Sequence, residues 1–132
     1  MVIRNYFSGS KTGDLPSDCE MSQSPLDACP DSPNCLRVSR IVNNSPEELF
    51  ETVLKVLQEM RAEEISPDRN RHFIGAVFCI PVFRFRDDVT IAIENANEGS
   101  LLHIRSASRV GYSDLGVNRR RVHKLLKKLD LQ

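Results

Sequence analysis

The residues best suited to chemistry lie in one stretch of the chain, residues 105–121. These seventeen residues include five arginines, three serines, one aspartate, one asparagine and one tyrosine. Arg119, Arg120 and Arg121 fall in the first turn of a predicted helix, where the helix dipole is already positive. Each cation there costs about 0.3–1 kcal/mol unless an anion compensates it. The stretch is therefore predicted to be an anion-binding site or an internal polar network.

Two sources of the compensating anion remain open. A bound phosphate, carboxylate or sulfate would suit both guanidinium groups and free helix N–H groups. Alternatively, the anion is an internal aspartate. Arg105 and Arg109 are four apart on a predicted strand and so share a face, and we expect Asp114 within their reach beyond the turn.

Two sets of candidate residues follow from these alternatives. The predicted ligand-binding residues are Arg105, Ser106, Ser108, Arg109, Tyr112, Asp114, Asn118 and Arg119. The predicted structural network consists of Asp87, Asp88, Gly111 and Gly116. The two glycines would let the backbone bend closely around whatever the stretch holds.

Catalysis and metal binding find less support in the sequence. Asp87 and Asp88 are adjacent on a predicted strand, so their side chains diverge. The three histidines lack a spacing typical of metal ligands, and neither a Gly-x-Ser-x-Gly elbow nor a phosphate loop occurs. We predict no metal, no cofactor and no catalytic residue. The alternative is an enzyme acting on an anionic or phosphorylated substrate, with Asp114 or Asp87 as its base.

Length and charge restrict the class of protein. At 132 residues the chain is predicted to form one domain. Residues 1–68 carry 6 Lys/Arg against 12 Asp/Glu, and residues 69–132 carry 12 against 6, so the net charge is zero. This balance argues against general nucleic-acid binding. No apolar run is long enough to predict a transmembrane segment or an export signal, so a cytoplasmic location is expected from this chain.

The hydrophobic pattern predicts elements that would position the stretch 105–121. Residues 1–25 have no periodicity and are predicted to form an irregular arm, whereas residues 26–132 form the domain. A strand near residues 36–42 precedes a helix that begins with the capping-box sequence at Ser45. Four strands and a last helix near residues 118–131 follow. The predicted fold is α+β, in the order β-α-β-β-β-β-α, with an antiparallel sheet and both helices on one face.

Two of the four cysteines lie close together in a proline-containing loop. Cys29 and Cys35 are separated by five residues, which is more than the two to four of a usual zinc pair. The prolines bend the loop back, so a disulfide is sterically feasible. In a reducing compartment the same residues would remain thiols.

Three segments carry a resemblance to a known family. Residues 29–35, 83–89 and 105–119 resemble the signature segments of domain-of-unknown-function family 1499, and the similarity extends over residues 26–131. The family is uncharacterised, so the resemblance implies relatives and supplies no activity. Many relatives carry export signals or membrane anchors. The resemblance therefore implies a periplasmic or membrane-associated alternative, in which a disulfide between Cys29 and Cys35 would be natural.

The sequence favours a non-catalytic domain that binds an anionic small molecule or lipid headgroup at residues 105–121. Besides the enzyme, the alternative is a protein-interaction module in which the polar network is purely structural. Protein partners and oligomeric state are not predicted by any pattern in the chain.

Overall fold

A computed structural model describes residues 6–8, 24–81, 84–111 and 114–131 of the chain. The strands are β1 Tyr6–Ser8, β2 Cys35–Val42, β3 Glu64–Asp68, β4 Phe73–Ile80, β5 Phe85–Ala96 and β6 Gly99–Ser108. The helices are α1 Pro46–Glu59 and α2 Val117–Lys128. The predicted α+β class and the order β-α-β-β-β-β-α, here β2 to α2, are confirmed. The short strand β1 was not predicted, and most of the predicted arm lies outside the described residues.

All strands belong to one antiparallel sheet in the order β1-β2-β6-β5-β4-β3. Strands β3 to β6 follow one another as neighbours because short connections favour antiparallel pairing. Strand β2 then pairs with β6, and β1 pairs with the outer edge of β2. The hairpin between β5 and β6 closes at Gly99, which has φ 127°. A side chain there would overlap the carbonyl oxygen of Val42, so the position requires glycine.

Helix α1 begins as its sequence predicts. The Ser45 hydroxyl accepts the Glu48 amide at 3.2 Å, the Glu48 carboxylate accepts the Ser45 amide, and Pro46 is the first helical residue. This capping box and the proline satisfy or remove N–H groups that the helix cannot pair. The apolar face of α1 includes Leu49, Phe50, Val53 and Leu57, all of which are buried.

A single hydrophobic cluster connects the sheet with the two helices. From the strands it takes alternate residues, such as Val38 of β2, Ile91 of β5 and Ile104 of β6. Buried residues of α1 and α2, including Phe50 and Leu125, belong to the same cluster. We call the sheet face that carries these strand residues the core face and the opposite one the outer face. The alternation of a strand places neighbouring residues on opposite faces.

Among the element boundaries that differ from the sequence pattern are those of β3 and β5. Strand β3 extends to Asp68 and includes Pro67, where the sequence predicts a turn. The proline is tolerated because β3 is the edge strand, where a missing N–H leaves no ladder partner unpaired. Strand β5 begins at Phe85 and ends at Ala96, whereas the pattern predicts residues 82–94.

Candidate functional site

Asp114 organises the turn that leads from β6 into α2. Its carboxylate accepts hydrogen bonds from the backbone amides of Gly116 and Asn118, both at 2.8 Å. Gly116 precedes the helix with φ 82°, a left-handed conformation that favours glycine. Burial acts to raise the pKa of Asp114, but the hydrogen bonds from Asn118 and Gly116 outweigh it and lower the pKa. The anion at the helix start is thus an internal carboxylate.

Asn118 connects this turn to the rest of the domain. It is fully buried, and its side chain contacts three segments besides its own helix. Its amide nitrogen donates to Asn34 O at 3.1 Å, Ser108 Oγ at 2.9 Å and Asp114 Oδ2 at 2.6 Å, and its amide oxygen accepts from Ser106 Oγ and from Arg121 Nη1 at 2.8 Å. A single amide thus fixes the helix, the last strand and the loop before β2 relative to one another.

Arg121 is the positively charged member of this network, and its side chain is largely buried. Its Nη1 lies 2.8 Å from Asp87 Oδ2, and Asp87 is completely buried. The hydrogens of that nitrogen are directed at Asn118 and Ser106, so the contact with Asp87 is an ion pair without a hydrogen bond. The guanidinium carbon lies 4.8 Å from the centroid of the Phe78 ring, a cation–π distance.

The expected grouping of Arg105, Arg109 and Asp114 is wrong. Arg109 instead forms a two-pronged ion pair with Asp88, with distances of 2.9 and 2.8 Å. Asp114 is occupied by amides of its own turn. The β5–β6 register explains this, because Asp88 pairs with Ala107 and so lies beside the end of β6.

Arg105 lies on the outer face, away from this network. Register places it opposite Arg37 of β2 and beside Thr90 of β5. Arg37 is buried, and its Nη1 donates to Leu26 O at 2.7 Å. Burial and then the charge of Arg105 lower the pKa of Arg37, while Asp27 acts to raise it.

Two arginines of the helix start are exposed. Arg120 Nη1 donates to the carbonyl oxygen of Leu115 at 2.9 Å. Within the part of the chain that the structure describes, Arg119 and Arg120 form no ion pair. The pKa of His123 is lowered, first by partial burial and then by the charges of Arg119 and Arg40.

A small apolar pocket opens beside Leu115, the residue whose carbonyl oxygen accepts from Arg120. It has a volume of about 160 Å³. Its walls are formed by Ile80, Phe85, Ser108, Val110, Gly111, Asp114, Leu115 and Val117. Three of these residues are large hydrophobic side chains with high exposure: Phe85 at 48%, Val110 at 55% and Leu115 at 83%. They are the described residues of this kind, and all three lie at the same pocket.

A second polar chain crosses the outer face. His103 Nδ1 lies 2.7 Å from Ser39 Oγ, and His103 Nε2 lies 2.7 Å from Glu94 Oε1. Burial lowers the pKa of His103 and outweighs the opposing effect of Glu94. In the neutral ring, Nε2–H donates to the Glu94 carboxylate and Nδ1 accepts the Ser39 hydroxyl hydrogen. His103 is completely buried and Ser39 is nearly so, which fits a structural role in this arrangement.

The loop before β2 contacts the end of β6 and the turn that follows it. Cys29 and Cys35 form a disulfide with a Cα–Cα distance of 5.6 Å. Between them, Asn34 Nδ2 donates to Gly111 O at 2.7 Å, and Asn34 O accepts the Ser108 amide at 3.0 Å. Two of the segments that the sequence singles out are thus in direct contact in space.

Both of these segments, residues 29–35 and 105–119, lie within the part of the chain that matches a known family. Residues 25–129 match the signature described as "Protein of unknown function (DUF1499)". The chain belongs to the DUF1499 family. A search of curated proteins found no match to the chain.

The DUF1499 domain brings four of the eight predicted ligand-binding residues together. Ser106, Ser108, Asp114 and Asn118 form one hydrogen-bonded group, with Gly111 and Gly116 in its backbone. Arg105 is separated from that group by the sheet, and Tyr112 lies outside the described residues. The apolar pocket was not predicted, because its walls come from the end of β4, the start of β5 and the turn before α2.

Two features are absent from the described part of this DUF1499 domain. No group of three or more His, Cys, Asp or Glu side chains is arranged to hold a metal ion. No described helix is long and apolar enough to span a bilayer.

Proposed function

We propose that this DUF1499 domain is a non-catalytic binding module for a small anionic amphiphile. The apolar end of the ligand would occupy the pocket, and its anionic group would lie at Arg119 and Arg120. The observation that carries the proposal is the position of an apolar pocket directly beside Arg120, a cation without an ion-pair partner among the described residues.

The size of the pocket restricts the apolar part of the ligand. A dry protein cavity of about 150 Å³ binds benzene, whereas pockets for drug-sized molecules measure about 300–1,000 Å³. A pocket of about 160 Å³ therefore suits one short alkyl or aromatic group. Burying such a group contributes roughly 25 cal/mol for each Å² of apolar surface removed from water.

The charges around the pocket restrict the polar part. Asp114 in the pocket wall already accepts two backbone amides, so a ligand anion would bind at guanidinium groups and not at the helix N–H groups. Arg120 lies at the rim, because its guanidinium reaches the carbonyl of Leu115. Arg119 is the adjacent residue of the helix and is exposed as well, so its charge adds to that of Arg120.

The same geometry gives a non-catalytic role more support than an enzymatic one. A general base that works at neutral pH needs a carboxylate pKa raised towards that pH. Asp114 is the carboxylate in the pocket wall, and its hydrogen bonds lower its pKa below the ordinary value. It is therefore a weak base.

We also infer that both helices cover the core face and leave the turn before α2 open at one end of the sheet. The shared hydrophobic cluster supports this arrangement, because α1, α2 and one set of alternating strand residues all contribute to it. The pocket would then be reached from that end of the domain.

Hexanoate is a suitable probe because it joins a short alkyl chain to a carboxylate. We expect saturable binding of hexanoate by calorimetry and weaker binding of hexanamide, which lacks the charge, and of acetate, which lacks the chain. Arg120→Gln should weaken hexanoate binding and leave hexanamide unchanged, whereas Leu115→Ser should weaken both. Arg71→Gln, an exposed arginine outside the site, is the matched control.

Equal binding of hexanoate and hexanamide would contradict the anionic part of the proposal. The exposure of Phe85, Val110 and Leu115 favours a second candidate, a protein-interaction module that inserts one apolar side chain of a partner into the pocket. If no amphiphile binds and Leu115→Ser abolishes capture of a defined protein partner, this second candidate replaces the first.

A further inference from the structure

Helix α2 presents a continuous basic surface on the side that faces away from the core. Its buried residues are Asn118, Val122, Leu125 and Leu126. Every exposed residue of the helix is basic, and we call this set the basic face: Arg119, Arg120, His123, Lys124, Lys127 and Lys128. With 3.6 residues in each turn, these positions cover about half of the helix circumference.

The basic face has no anion of its own within the described part of the chain. Its arginines and lysines form no ion pair with any described residue. Like charges three or four residues apart, such as Arg120, Lys124 and Lys127, repel each other and destabilise a helix. A face that repels itself and lacks an internal counter-charge is suited to an external anionic partner.

The positive charge is concentrated at α2, although the whole chain has a net charge of zero. The other helix, α1, is acidic on its exposed side, where Lys55 is outnumbered by Glu47, Glu48, Glu51 and Glu59. Such an uneven distribution of charge orients a molecule as it approaches a charged surface. A negatively charged surface therefore attracts the domain with α2 in front.

Exposed apolar side chains adjoin the basic face at the start of the helix. Leu115 is 83% exposed and Val110 is 55% exposed. The two are close to the cations, because Arg120 Nη1 donates to the carbonyl oxygen of Leu115 at 2.9 Å and both apolar residues line one pocket. Cations beside exposed aliphatic groups are the combination that binds a membrane surface, since anionic lipids attract the cations and the aliphatic groups enter the acyl boundary.

The apolar neighbours favour a bilayer over a nucleic acid as the partner. Proteins that bind single strands combine cations with aromatic rings on which the bases stack. The basic face carries no Phe, Tyr or Trp, and the exposed residues Leu115 and Val110 are aliphatic. The net charge of zero is also unlike that of a nucleic-acid-binding domain.

We propose that the basic face of α2 docks on an anionic membrane surface, with Leu115 and Val110 at the interface between headgroups and acyl chains. This docking goes beyond the binding of a small amphiphile and does not require it. Lys124 and Lys127 lie on later turns of the helix and do not line the pocket. The two proposals can therefore be tested separately.

The test is sedimentation of the full chain with lipid vesicles. Vesicles of equal parts phosphatidylglycerol and phosphatidylcholine are compared with vesicles of phosphatidylcholine alone. We expect binding to the anionic vesicles that weakens as salt is added, because the cations are exposed and salt screens them. Absence of binding to the anionic vesicles, or equal binding to both kinds, would overturn the proposal.

Variants identify the face that binds. Each cation near an anionic surface strengthens binding roughly fivefold, so Lys124→Gln/Lys127→Gln should weaken vesicle binding about 25-fold. Lys55→Gln/Arg71→Gln removes two exposed charges from elsewhere on the domain and is the matched control. Vesicle binding that is equal in the wild type and in Lys124→Gln/Lys127→Gln would contradict the proposal, as would an equal loss in the control.

Two further measurements separate this proposal from the function proposed for the pocket. Lys124→Gln/Lys127→Gln should bind hexanoate as the wild type does, because Arg120 and the pocket are unchanged. Leu115→Ser should weaken vesicle binding as well as hexanoate binding. Loss of hexanoate binding in Lys124→Gln/Lys127→Gln would contradict a docking face that is separate from the pocket.

Other occupants of the basic face give different results. If vesicles do not bind, a gel shift with a duplex oligonucleotide that Lys124→Gln/Lys127→Gln abolishes would assign the face to nucleic acid. Sedimentation velocity of the protein alone tests a second copy, whose acidic α1 could pair with the basic face. Dimerisation that the same variant abolishes, again without vesicle binding, would assign the face to that copy. Either result would overturn docking on a membrane.

Discussion

At the level of single residues, Arg121 is a largely buried cation whose partners all lie within the domain. Its guanidinium contacts Asp87, Asn118, Ser106 and the ring of Phe78 in a nearly water-free environment. Buried ion pairs add little net stability, because desolvation offsets the attraction, but removing one partner leaves an uncompensated charge. The pair joins α2 to β5 in the interior of the domain.

Arg121→Met is expected to lower the free energy of unfolding by about 3–5 kcal/mol, because Asp87 is left buried and unpaired. Urea denaturation measures this loss, and Lys124→Met on the exposed side of the same helix is the control. The double variant Asp87→Asn/Arg121→Met should recover part of the loss. A loss in Arg121→Met no larger than that of the control would show that the pair is unimportant.

Residue partners were predictable only where they are local in the chain. The capping box at Ser45 and Glu48 follows from spacing alone, and the structure has it. The partner of Arg109 depends on the β5–β6 register, which a one-residue slip would change. Asp114 accepts amides of its own turn and does not pair with the predicted arginines, because an aspartate side chain readily accepts the backbone N–H two residues further on.

At the level of elements, the loop 29–35 packs on the turn before α2 and is hydrogen-bonded to it. The disulfide closes the loop, and Asn34 inside it connects to Gly111 and Ser108. A loop of about seven residues contributes roughly 2.4 kcal/mol by restricting the unfolded chain. Its closure thus supports the same backbone that forms the pocket wall.

Reduction of the Cys29–Cys35 disulfide is expected to lower the free energy of unfolding by about 2 kcal/mol. Urea denaturation with and without reductant measures this difference. The variant Cys29→Ser/Cys35→Ser should unfold like the reduced protein and show no response to reductant. An equal response of the variant and the wild type would contradict the assignment of the effect to this bond.

The outer face of the sheet is expected to make stability depend on pH through His103. Its pKa in the folded state is lowered by burial, so the unfolded state binds more protons. Stability should therefore be fully present above about pH 6.5 and decrease as the pH falls below it. His103→Gln should reduce this decrease in melting temperature between about pH 6.5 and 5, whereas Lys124→Gln should not. A pH profile of the melting temperature that is unchanged in His103→Gln would contradict this role of His103.

For the whole molecule, the acidic half (residues 1–68) and the basic half (residues 69–132) contribute strands to the same sheet. Strand β2 from the acidic half pairs with β6 from the basic half. Pairs such as Arg86–Glu63 and Arg69–Glu51 join the halves across the surface. The charge asymmetry along the chain therefore produces pairing between the two halves of the fold.

We expect a single substitution at the pocket to weaken ligand binding without destabilising the fold. Leu115 is highly exposed and lies outside the core, so Leu115→Ser should change the free energy of unfolding by no more than about 0.5 kcal/mol. The same variant should weaken hexanoate binding. Chemical denaturation and calorimetry on one preparation test both statements, and a large loss of stability would show that Leu115 is a structural residue.

The fold class could be predicted because it rests on hydrophobic periodicity, which is local. The sheet order β2-β6-β5-β4-β3 and the pocket rest on contacts between distant segments. Ile80, Phe85 and Leu115 belong to three such segments, and nothing in their spacing indicates that they meet. For this reason an apolar site was missed within a stretch whose composition suggested only charge.

The most direct measurement of the central claim is a methyl NMR titration of the full chain with hexanoate. We expect saturable shifts of the methyl groups of Val110, Leu115 and Val117, with intermolecular contacts between these methyls and the end of the hexanoate chain. Shifts should be small for core methyls such as Ile91. Saturation without any response of the three pocket residues, or no response at all, would contradict the proposed binding site.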